Sequence, residues 1–326
     1  MCTSNYRYYD KYLLFNDRTI KGYLFLIKKR IIVLDNNGIP LGKAPNGKKA
    51  DSDYPEYVYN PVGIANHGLL LYNDLIENTN RLGLKDDPRI AFEKQIFWLI
   101  KNRTDEKNLS FCCHNYPVVA HGCKPPWKSA LTQGLILSLL SRACHLNKSK
   151  EICRIAERVA ISMETPTSEG GFLYVDGNGD YWYQEYMGNC GYVLNGFIFA
   201  MWGVYDYYLY SNDEKYKKIF DKCVDTLRKN LRQYDWRMGL AQWTVYDLKD
   251  RNPVTLEYQK LHVSLLKDLY IITKERFLLD YANRWESYIK QPNMLLVSIT
   301  RHTRAQVLAL FKALGTDKRI KTFKKE

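Results

Sequence analysis

The chain lacks any long apolar run. Its 326 residues contain no stretch that approaches the roughly 18 uncharged residues of a membrane helix. Apolar residues near the N-terminus, in YLLFNDRTIKGYLFLIKKRIIV, are interrupted by Asp17, Arg18 and Lys21, which is not the pattern of a secretory signal. The eight cysteines are irregularly spaced, so we expect reduced thiols rather than a disulfide framework. These absences predict a cytoplasmic protein without a membrane span.

Signatures of phosphate and metal binding are also missing. GNG at 177–179 lacks the spacing of a P-loop or dinucleotide fingerprint and is typical of a hairpin turn. FCCHNYPVVAHGC at 111–123 brings cysteines and histidines together, but its adjacent cysteines lack the usual gap between zinc ligands. We therefore expect no metal and no nucleotide cofactor.

Apolar and basic residues are abundant. Apolar residues make up 46% of the chain, which is enough for a sizeable packed core and does not suggest disorder. The formal net charge is +13, so a groove that collects part of this excess would attract an anionic partner such as a polyuronate or a nucleic acid. The terminal run TDKRIKTFKKE carries part of the charge and is typical of a solvated tail.

Four amphipathic segments recur along the chain, beginning near Pro61, Pro126, Cys190 and Thr255. Each is followed by a second helical segment, and apolar residues recur at intervals of three and four. Repeated helical hairpins stack into a solenoid or close into a ring. The predicted fold class is therefore mainly α, an incomplete α/α toroid of about four helical hairpins with short β-hairpins at the cavity mouth.

The predicted domains follow from this pattern. Residues 1–55 are expected to form a small N-terminal β-rich appendage that includes YLFLIKKRIIVLDNNG. Residues 56–291 are expected to form the toroid, and residues 292–326 a last amphipathic helix and the basic tail. Hairpins are predicted in GGFLYVDGNGDYWYQEY, where DGNG is a turn between alternating residues, and in RQYDWRMGLAQWTVYDL.

Two candidate catalytic residues, Glu185 and Tyr186, lie in the segment 182–206. Here an aromatic strand is followed by an amphipathic helix. Tyr246 in VYDLK and Tyr258 in LEYQKLH lie just before or just inside other inner helices. In a toroid these four positions converge on one end of the cavity. Because the chain has 26 tyrosines, the alternative for each phenol is simple packing with a solvated hydroxyl.

Five sequence blocks stand in a recognisable order: PWKSALTQGLILSLLSRA at 126–143, WYQEY at 182–186, GYVLNGFIFAMWGVYD at 191–206, VYDLK at 245–249 and RWESY at 284–288. Together they resemble the C-terminal catalytic region of the glucuronyl C-5 epimerases of heparin and heparan sulfate synthesis. YNPVGIANHGLLLY at 59–72 extends the resemblance more weakly toward the N-terminus.

The resemblance implies a helical catalytic domain that converts D-glucuronate to L-iduronate in a polysaccharide or lipid-linked oligosaccharide, without a cofactor. Epimerisation at C-5 needs two acid/base groups on opposite faces of the ring and stabilisation of the enediolate. The resemblance assigns this chemistry to Glu185, Tyr186, Tyr246 and Tyr258. Glu185 and Tyr258 form the expected acid/base pair, while Tyr186 and Tyr246 polarise or orient the sugar. A tyrosine that acts as a base needs its pKa of about 10 lowered by nearby cations.

The resemblance also implies a set of substrate-binding residues, namely Tyr59, Trp127, Gln133, Tyr183, Asn195, Lys249 and His262. Trp127 could stack on a sugar face, although packing in the core or at a helix start is the alternative for Trp127 and Asn195. The expected partner is an anionic uronate-containing polysaccharide or oligosaccharide rather than a nucleic acid. A homodimer is one option for assembly.

Other activities stay open from the sequence. Lys249 stands where the family pattern has an arginine. A lysine cannot form the two parallel hydrogen bonds that a planar guanidinium makes with a carboxylate. A polysaccharide lyase would begin with the same proton abstraction and then lose the C-4 substituent. A glycoside hydrolase or a carbohydrate-binding protein could use the same scaffold, but a hydrolase usually needs two carboxylates. Glu185 would then need Asp180, Asp247 or Glu257 as its partner.

Overall fold

The computed structural model describes residues 6–8, 11–14, 17–44, 55–84, 86–188, 191–238 and 241–290, and within these ranges the chain is mainly helical. The helices are α1 (Asp17–Lys28), α2 (Pro61–Ile76), α3 (Pro88–Lys101), α4 (Ala130–Asn147), α5 (Lys150–Glu164), α6 (Leu194–Ser211), α7 (Glu214–Asn230), α8 (Leu256–Thr273) and α9 (Arg276–Ser287). The strands are β1 (Ile32–Leu34), β2 (Pro40–Lys43), β3 (Tyr57–Tyr59), β4 (Thr104–Glu106), β5 (Leu109–Phe111), β6 (Leu173–Val175), β7 (Tyr181–Tyr183), β8 (Asp235–Met238) and β9 (Ala241–Thr244).

Helices α2 to α9 form four hairpins, in which α2 packs on α3, α4 on α5, α6 on α7 and α8 on α9. The first helix of each hairpin also contacts the first helix of the next, so α2, α4, α6 and α8 form an inner arc. Helices α4 and α6 are buried over most of their length, whereas α5 and α7 expose one face. This is the difference expected between inner and outer helices. The predicted hairpins are therefore confirmed.

Local sequence fixes where the inner helices begin. The side chain of Asn60 accepts a hydrogen bond from the first turn of α2, which starts with Pro61. Ser129 and Thr255 cap α4 and α8 in the same way. Helix α6 begins after Val193, which makes no side-chain cap. The Leu194 N–H donates to the carbonyl of Tyr246, and the positive end of the α6 dipole favours a neighbouring or bound anion.

Helices α4 and α6 approach each other through glycine. A methyl group on Gly203 would overlap the carbonyl oxygen of Gly134, and a methyl group on Gly134 would overlap the backbone of Ala200. These contacts are with backbone atoms of two helices, so a rotamer change cannot relieve them. The glycines thus determine the spacing of two helices that are buried over most of their length.

Replacing Gly203 with alanine is expected to lower the free energy of unfolding by about 1–3 kcal/mol or more, because the added methyl group forces α4 and α6 apart. Urea denaturation of both proteins measures this difference. Gly22→Ala in α1 is the matched control, since a side chain there meets no atom within 4 Å. The control should be neutral or slightly stabilising, as alanine favours helix over glycine. Equal stability of the Gly203→Ala variant and the wild type would contradict the packing argument.

A buried ionic cluster joins the N-terminal segment to the inner arc. The guanidinium of Arg142 in α4 forms a 2.7 Å ion pair with Asp206 in α6, and both side chains are fully buried. Arg142 also donates to the Tyr6 hydroxyl, which in turn donates to Asp206. Asn73 in α2 exchanges two hydrogen bonds with the backbone of Tyr12. Tyr6 and Tyr12 are therefore buried against the inner helices.

Short antiparallel hairpins connect the helical pairs. The pairing of β6 with β7 and of β8 with β9 confirms the hairpins predicted from the turn signals. A further hairpin of β4 and β5, between the first and second helical pairs, was not predicted. Its strands have three residues each, too few for the alternating pattern to stand out.

The β-rich N-terminal prediction is only partly right. Strands β1, β2 and β3 form an antiparallel sheet, but YLFLIK belongs to α1. Tyr23, Leu24 and Ile27 pack against the core at helical spacing, and this 3.6-residue periodicity outweighs the strand propensity of the run. The helix predicted at 292–314 and the basic tail lie outside the described residues. Within the described part of the chain, no helix is long and apolar enough to cross a membrane.

Candidate active site

A cavity of about 510 Å³ opens where the inner helices begin. Its wall includes Asn60 before α2, Ser129 before α4, Asn195 in the first turn of α6 and Tyr258 in the first turn of α8. Glu185, which follows β7, completes this set. A cavity of this size with a few polar groups on a largely apolar wall is typical of a small-ligand site.

Three predicted catalytic side chains form a hydrogen-bonded chain. The Tyr246 hydroxyl donates to Glu185 Oε1 at 3.1 Å, and the Tyr186 hydroxyl lies 3.4 Å from the Tyr246 hydroxyl. Because Tyr246 gives its proton to Glu185, Tyr186 is the donor in the second contact. The Tyr258 ring meets Tyr246 edge to face, with centroids 5.6 Å apart. The structure thus brings all four predicted catalytic residues together, with Tyr246 in contact with the other three.

The Glu185 carboxylate is poised for proton exchange near neutrality. Burial raises the pKa of Glu185 to about 7, and the nearby hydroxyls of Tyr186 and Tyr246 oppose the rise. Its Oε2 atom is buried and has no hydrogen-bond partner among the described residues. Gly196 makes room for this carboxylate, since a Cβ there would lie 2.5 Å from Oε2. The result is a partly desolvated acid/base group beside the N-terminus of α6.

The three phenols are suited to donate protons rather than to remove them. Burial is the main cause of the raised pKa of Tyr186, Tyr246 and Tyr258, and the Glu185 charge adds to it. Tyr258 keeps 40% of its surface exposed at the cavity mouth, so solvent screens its shift more than those of the other two. The expectation that nearby cations lower a tyrosine pKa does not fit this site. The phenols are neutral acids, and Glu185 is the group suited to act as a base.

An aromatic stack holds Tyr186 in place. Its ring lies flat against His121, with centroids 3.9 Å apart and an interplanar angle of 14°. Trp127 flanks the Tyr186 ring at 5.6 Å and itself stacks on His114 at 4.0 Å. Trp127 and His121 both line the cavity, so Trp127 is placed where a sugar could contact it. Stacked aromatic side chains restrict each other's orientation, which positions the Tyr186 hydroxyl.

The cysteine and histidine segment shows no metal geometry. His114 is buried, and its two ring nitrogens contact the hydroxyls of Tyr116 and Thr132. Burial lowers the pKa of His114 to about 3, so the ring is neutral. No group of His, Cys, Asp or Glu side chains in the described ranges is arranged to hold a metal ion.

Two asparagines line the cavity as unsatisfied acceptors. Asn66 in α2 and Asn195 in α6 each have a buried side-chain oxygen without a hydrogen-bond partner among the described residues. Buried polar atoms are nearly always paired in folded proteins, and unpaired ones often mark a ligand site. Sugar hydroxyls are donors of the right kind. The sequence resemblance selected Asn195 but not Asn66, which lies on the same face of its helix as other cavity residues.

Three predicted substrate-binding residues lie in the core. Tyr183 donates its hydroxyl to a backbone carbonyl of α5, and the side chain is buried. The Gln133 side-chain amide accepts a hydrogen bond from the Cys112 N–H and donates one to the Cys112 carbonyl. His262 Nδ1 contacts the hydroxyl of Thr244 in β9. None of the three lines the cavity, so the structure assigns them to packing and helix positioning.

Two further predicted substrate-binding residues lie at the surface. Tyr59 packs against Trp98 and donates its hydroxyl to Asp35 Oδ2. Lys249 is exposed and outside the cavity wall, although its charge acts on His121 at the mouth. Of the seven substrate-binding predictions, Trp127 and Asn195 are the two that line the cavity.

The helical fold resembles that of a solved structure. The structure of Rex8A from Paenibacillus barcinonensis in complex with xylose superposes with a TM-score of 0.51, covering 88% of this chain and 76% of that one, at 10% sequence identity. A reducing-end-xylose-releasing exo-oligoxylanase bound to xylobiose gives a TM-score of 0.45 at 11% identity, over 82% of this chain and 70% of that one. Only the first likeness bears on the fold, and at this identity it shows the fold alone.

Sequence comparison then identifies the family. The family model described as D-glucuronyl C5-epimerase C-terminus matches residues 105–287, more than half of the chain, and the chain belongs to this family. A D-glucuronyl C5-epimerase from Caenorhabditis elegans is 31% identical over 221 residues, which is 61% of this chain. The aligned region is 35% of that relative, so the chain spans about a third of its length.

Proposed function

We propose that this protein epimerises D-glucuronate at C-5 to L-iduronate within a polysaccharide or a lipid-linked oligosaccharide. The observation that carries the proposal is the chain of hydrogen bonds from Tyr186 through Tyr246 to Glu185, beside Tyr258 in a sugar-sized cavity. Family membership supports the same reaction. We also interpret the arc of four hairpins as an incomplete α/α toroid, with the catalytic groups at one end of its axis.

In the proposed reaction Glu185 removes the C-5 proton, and the C–H electrons move into the sugar carboxylate to form an enediolate. Tyr258 then delivers its hydroxyl proton to C-5 from the opposite face. Solvent reprotonates Tyr258, which is partly exposed, and Glu185 releases its proton. Tyr246 holds Glu185 in place by its hydrogen bond. The uncapped N-terminus of α6 favours the negative charge that develops nearby.

Hydrolysis is less well supported, because it usually requires two carboxylates flanking the glycosidic bond. Glu185 is the one carboxylate on the cavity wall among the described residues. Asp180 is buried beside Lys229 and Asn230, and Asp247 accepts backbone hydrogen bonds in its own turn. Neither side chain lines the cavity.

Product analysis tests the proposal. Incubation with a glucuronate-containing oligosaccharide should yield iduronate signals in the NMR spectrum, with the chain length unchanged. New ultraviolet absorbance from an unsaturated uronate would instead indicate a lyase, and shortened saturated products would indicate a hydrolase. Either of these outcomes, in place of iduronate, would overturn the assignment.

The pH dependence of kcat/KM should report the ionisation of Glu185. Since its pKa is about 7, the carboxyl is protonated below that pH and cannot accept the C-5 proton, so kcat/KM should fall as pH decreases through about 7. Tyr246→Phe removes a hydrogen bond that lowers the Glu185 pKa. The acidic limb of the profile should therefore move to higher pH in this variant. An acidic limb that stays in place would contradict this role for Glu185.

A further inference from the structure

The cavity has no obvious partner for the negative charge of its proposed substrate. A uronate brings a carboxylate to the site, and carboxylates in proteins are normally bound by cationic groups or several hydrogen-bond donors. Among the described residues, no lysine or arginine lines the cavity. The side chains on its wall that can become positively charged are His114 and His121.

His114 is not suited to this role. Both of its ring nitrogens contact hydroxyl groups of the protein, at 3.0 Å and 2.7 Å. The ring is buried, stacks on Trp127, and has a pKa lowered to about 3. A charge on His114 would have to be desolvated without a counterion, which is costly.

His121 has the position that a carboxylate partner requires. It ends the short 3-10 turn Val119–His121 at the cavity wall and is only half-buried. One face of its ring rests on Tyr186 at 3.9 Å, and Tyr246 lies at 6.1 Å. A cation over an aromatic face is stabilised. The ring is thus fixed beside two of the proposed catalytic phenols.

Burial and nearby charges act on the His121 pKa in opposite directions in the free protein. Burial lowers its pKa, Asp247 and Asp250 raise it, and Lys249 lowers it. These three charged groups come from the loop after β9, while the faces of Tyr186 and Tyr246 are uncharged. A bound carboxylate would add a negative charge at the cavity and raise the His121 pKa.

We propose that His121 binds the carboxylate of the uronate substrate as an imidazolium. The inference rests on the proposed function for its substrate class, but it concerns binding rather than proton transfer. Binding then takes up a proton, because the bound carboxylate favours the charged ring. The affinity should begin to rise when the pH falls to the His121 pKa of the complex. It should stop rising once the pH is below the His121 pKa of the free protein, where the ring is already charged.

The test uses Glu185→Gln as background, because Glu185 also titrates near neutrality and would change anion binding by itself. This background also prevents turnover. Isothermal titration with a glucuronate-containing tetrasaccharide is expected to show about tenfold tighter binding at about pH 5.5 than at about pH 8. The same tetrasaccharide with its carboxyl groups reduced to alcohols should show no such change.

His121→Phe, added to this background, is the deciding variant because phenylalanine keeps a flat ring against Tyr186 but cannot be protonated. It should lose both the pH dependence and the preference for the acidic tetrasaccharide. If both persist, His121 does not bind the carboxylate, whatever the protein catalyses. If the wild type forms no iduronate but the binding pattern holds, the proposed function fails and the role of His121 stands.

Discussion

Replacing Glu185 with glutamine is expected to lower kcat for C-5 proton exchange by about a hundredfold to ten-thousandfold. Glutamine keeps the shape of the side chain and can still accept a hydrogen bond from Tyr246, but it cannot take a proton from carbon. The loss should appear in kcat more than in KM, because the carboxylate acts on the reacting bond. Single-turnover exchange measurements on both proteins give the ratio directly.

A stability measurement separates this loss from unfolding. A pKa raised from 4.5 to about 7 means that the folded protein binds the Glu185 proton more tightly than the unfolded chain does. The fold therefore loses stability as pH rises from about 4.5 to about 7, by roughly 3 kcal/mol when complete. Glu185→Gln should be more stable than the wild type at about pH 8 and equal to it at about pH 4. An inactive variant that is also less stable at the higher pH would not support the catalytic role.

Asp206→Asn is expected to lower the free energy of unfolding by about 3–5 kcal/mol. The substitution leaves the Arg142 guanidinium fully buried without its counterion and weakens the acceptor for Tyr6. Because Tyr6 belongs to the segment before α1, the loss should also loosen that segment from α4 and α6. Chemical denaturation measures the first effect, and amide hydrogen exchange near Tyr6 and Tyr12 measures the second.

The double replacement Arg142→Met with Asp206→Leu is the matched control, since it removes both charges together. Replacing a buried ion pair with apolar residues is often far less costly than breaking it. The double variant should therefore be more stable than Asp206→Asn alone. If Asp206→Asn costs less than about 1 kcal/mol, the pair is better solvated than its burial indicates.

Most of the helical architecture could be predicted from the sequence because the inner and outer helices repeat the same periodic pattern. The exception is α1, where Tyr23 and Ile27 lie four residues apart inside a run that also fits a strand. Short apolar runs are ambiguous between the two structures, and the packing of Tyr23 on His67 of α2 decides the outcome. That contact connects distant parts of the chain, so no local pattern contains it.

The clustering of four side chains was also predictable, because Glu185, Tyr186, Tyr246 and Tyr258 lie near the starts of repeated elements that meet in space. The wall of the cavity was harder to predict. Gln133 lies in a helix whose whole circumference is buried, so its sequence position does not reveal which face it occupies. His121 appeared as part of a cysteine and histidine cluster, and only the stacking on Tyr186 showed its place in the site.

Deuterium incorporation tests the central claim, that Glu185 and Tyr258 exchange the C-5 proton of glucuronate with solvent. Wild-type protein incubated with a glucuronate oligosaccharide in heavy water should place deuterium at C-5 of both glucuronate and iduronate. Glu185→Gln should suppress deuterium in both sugars and Tyr258→Phe should suppress deuterated iduronate, while Phe97→Ser, at an exposed position outside the cavity, should do neither. Undiminished C-5 deuterium in the Glu185→Gln variant, or none in the wild type with any glucuronate polymer, would contradict the account.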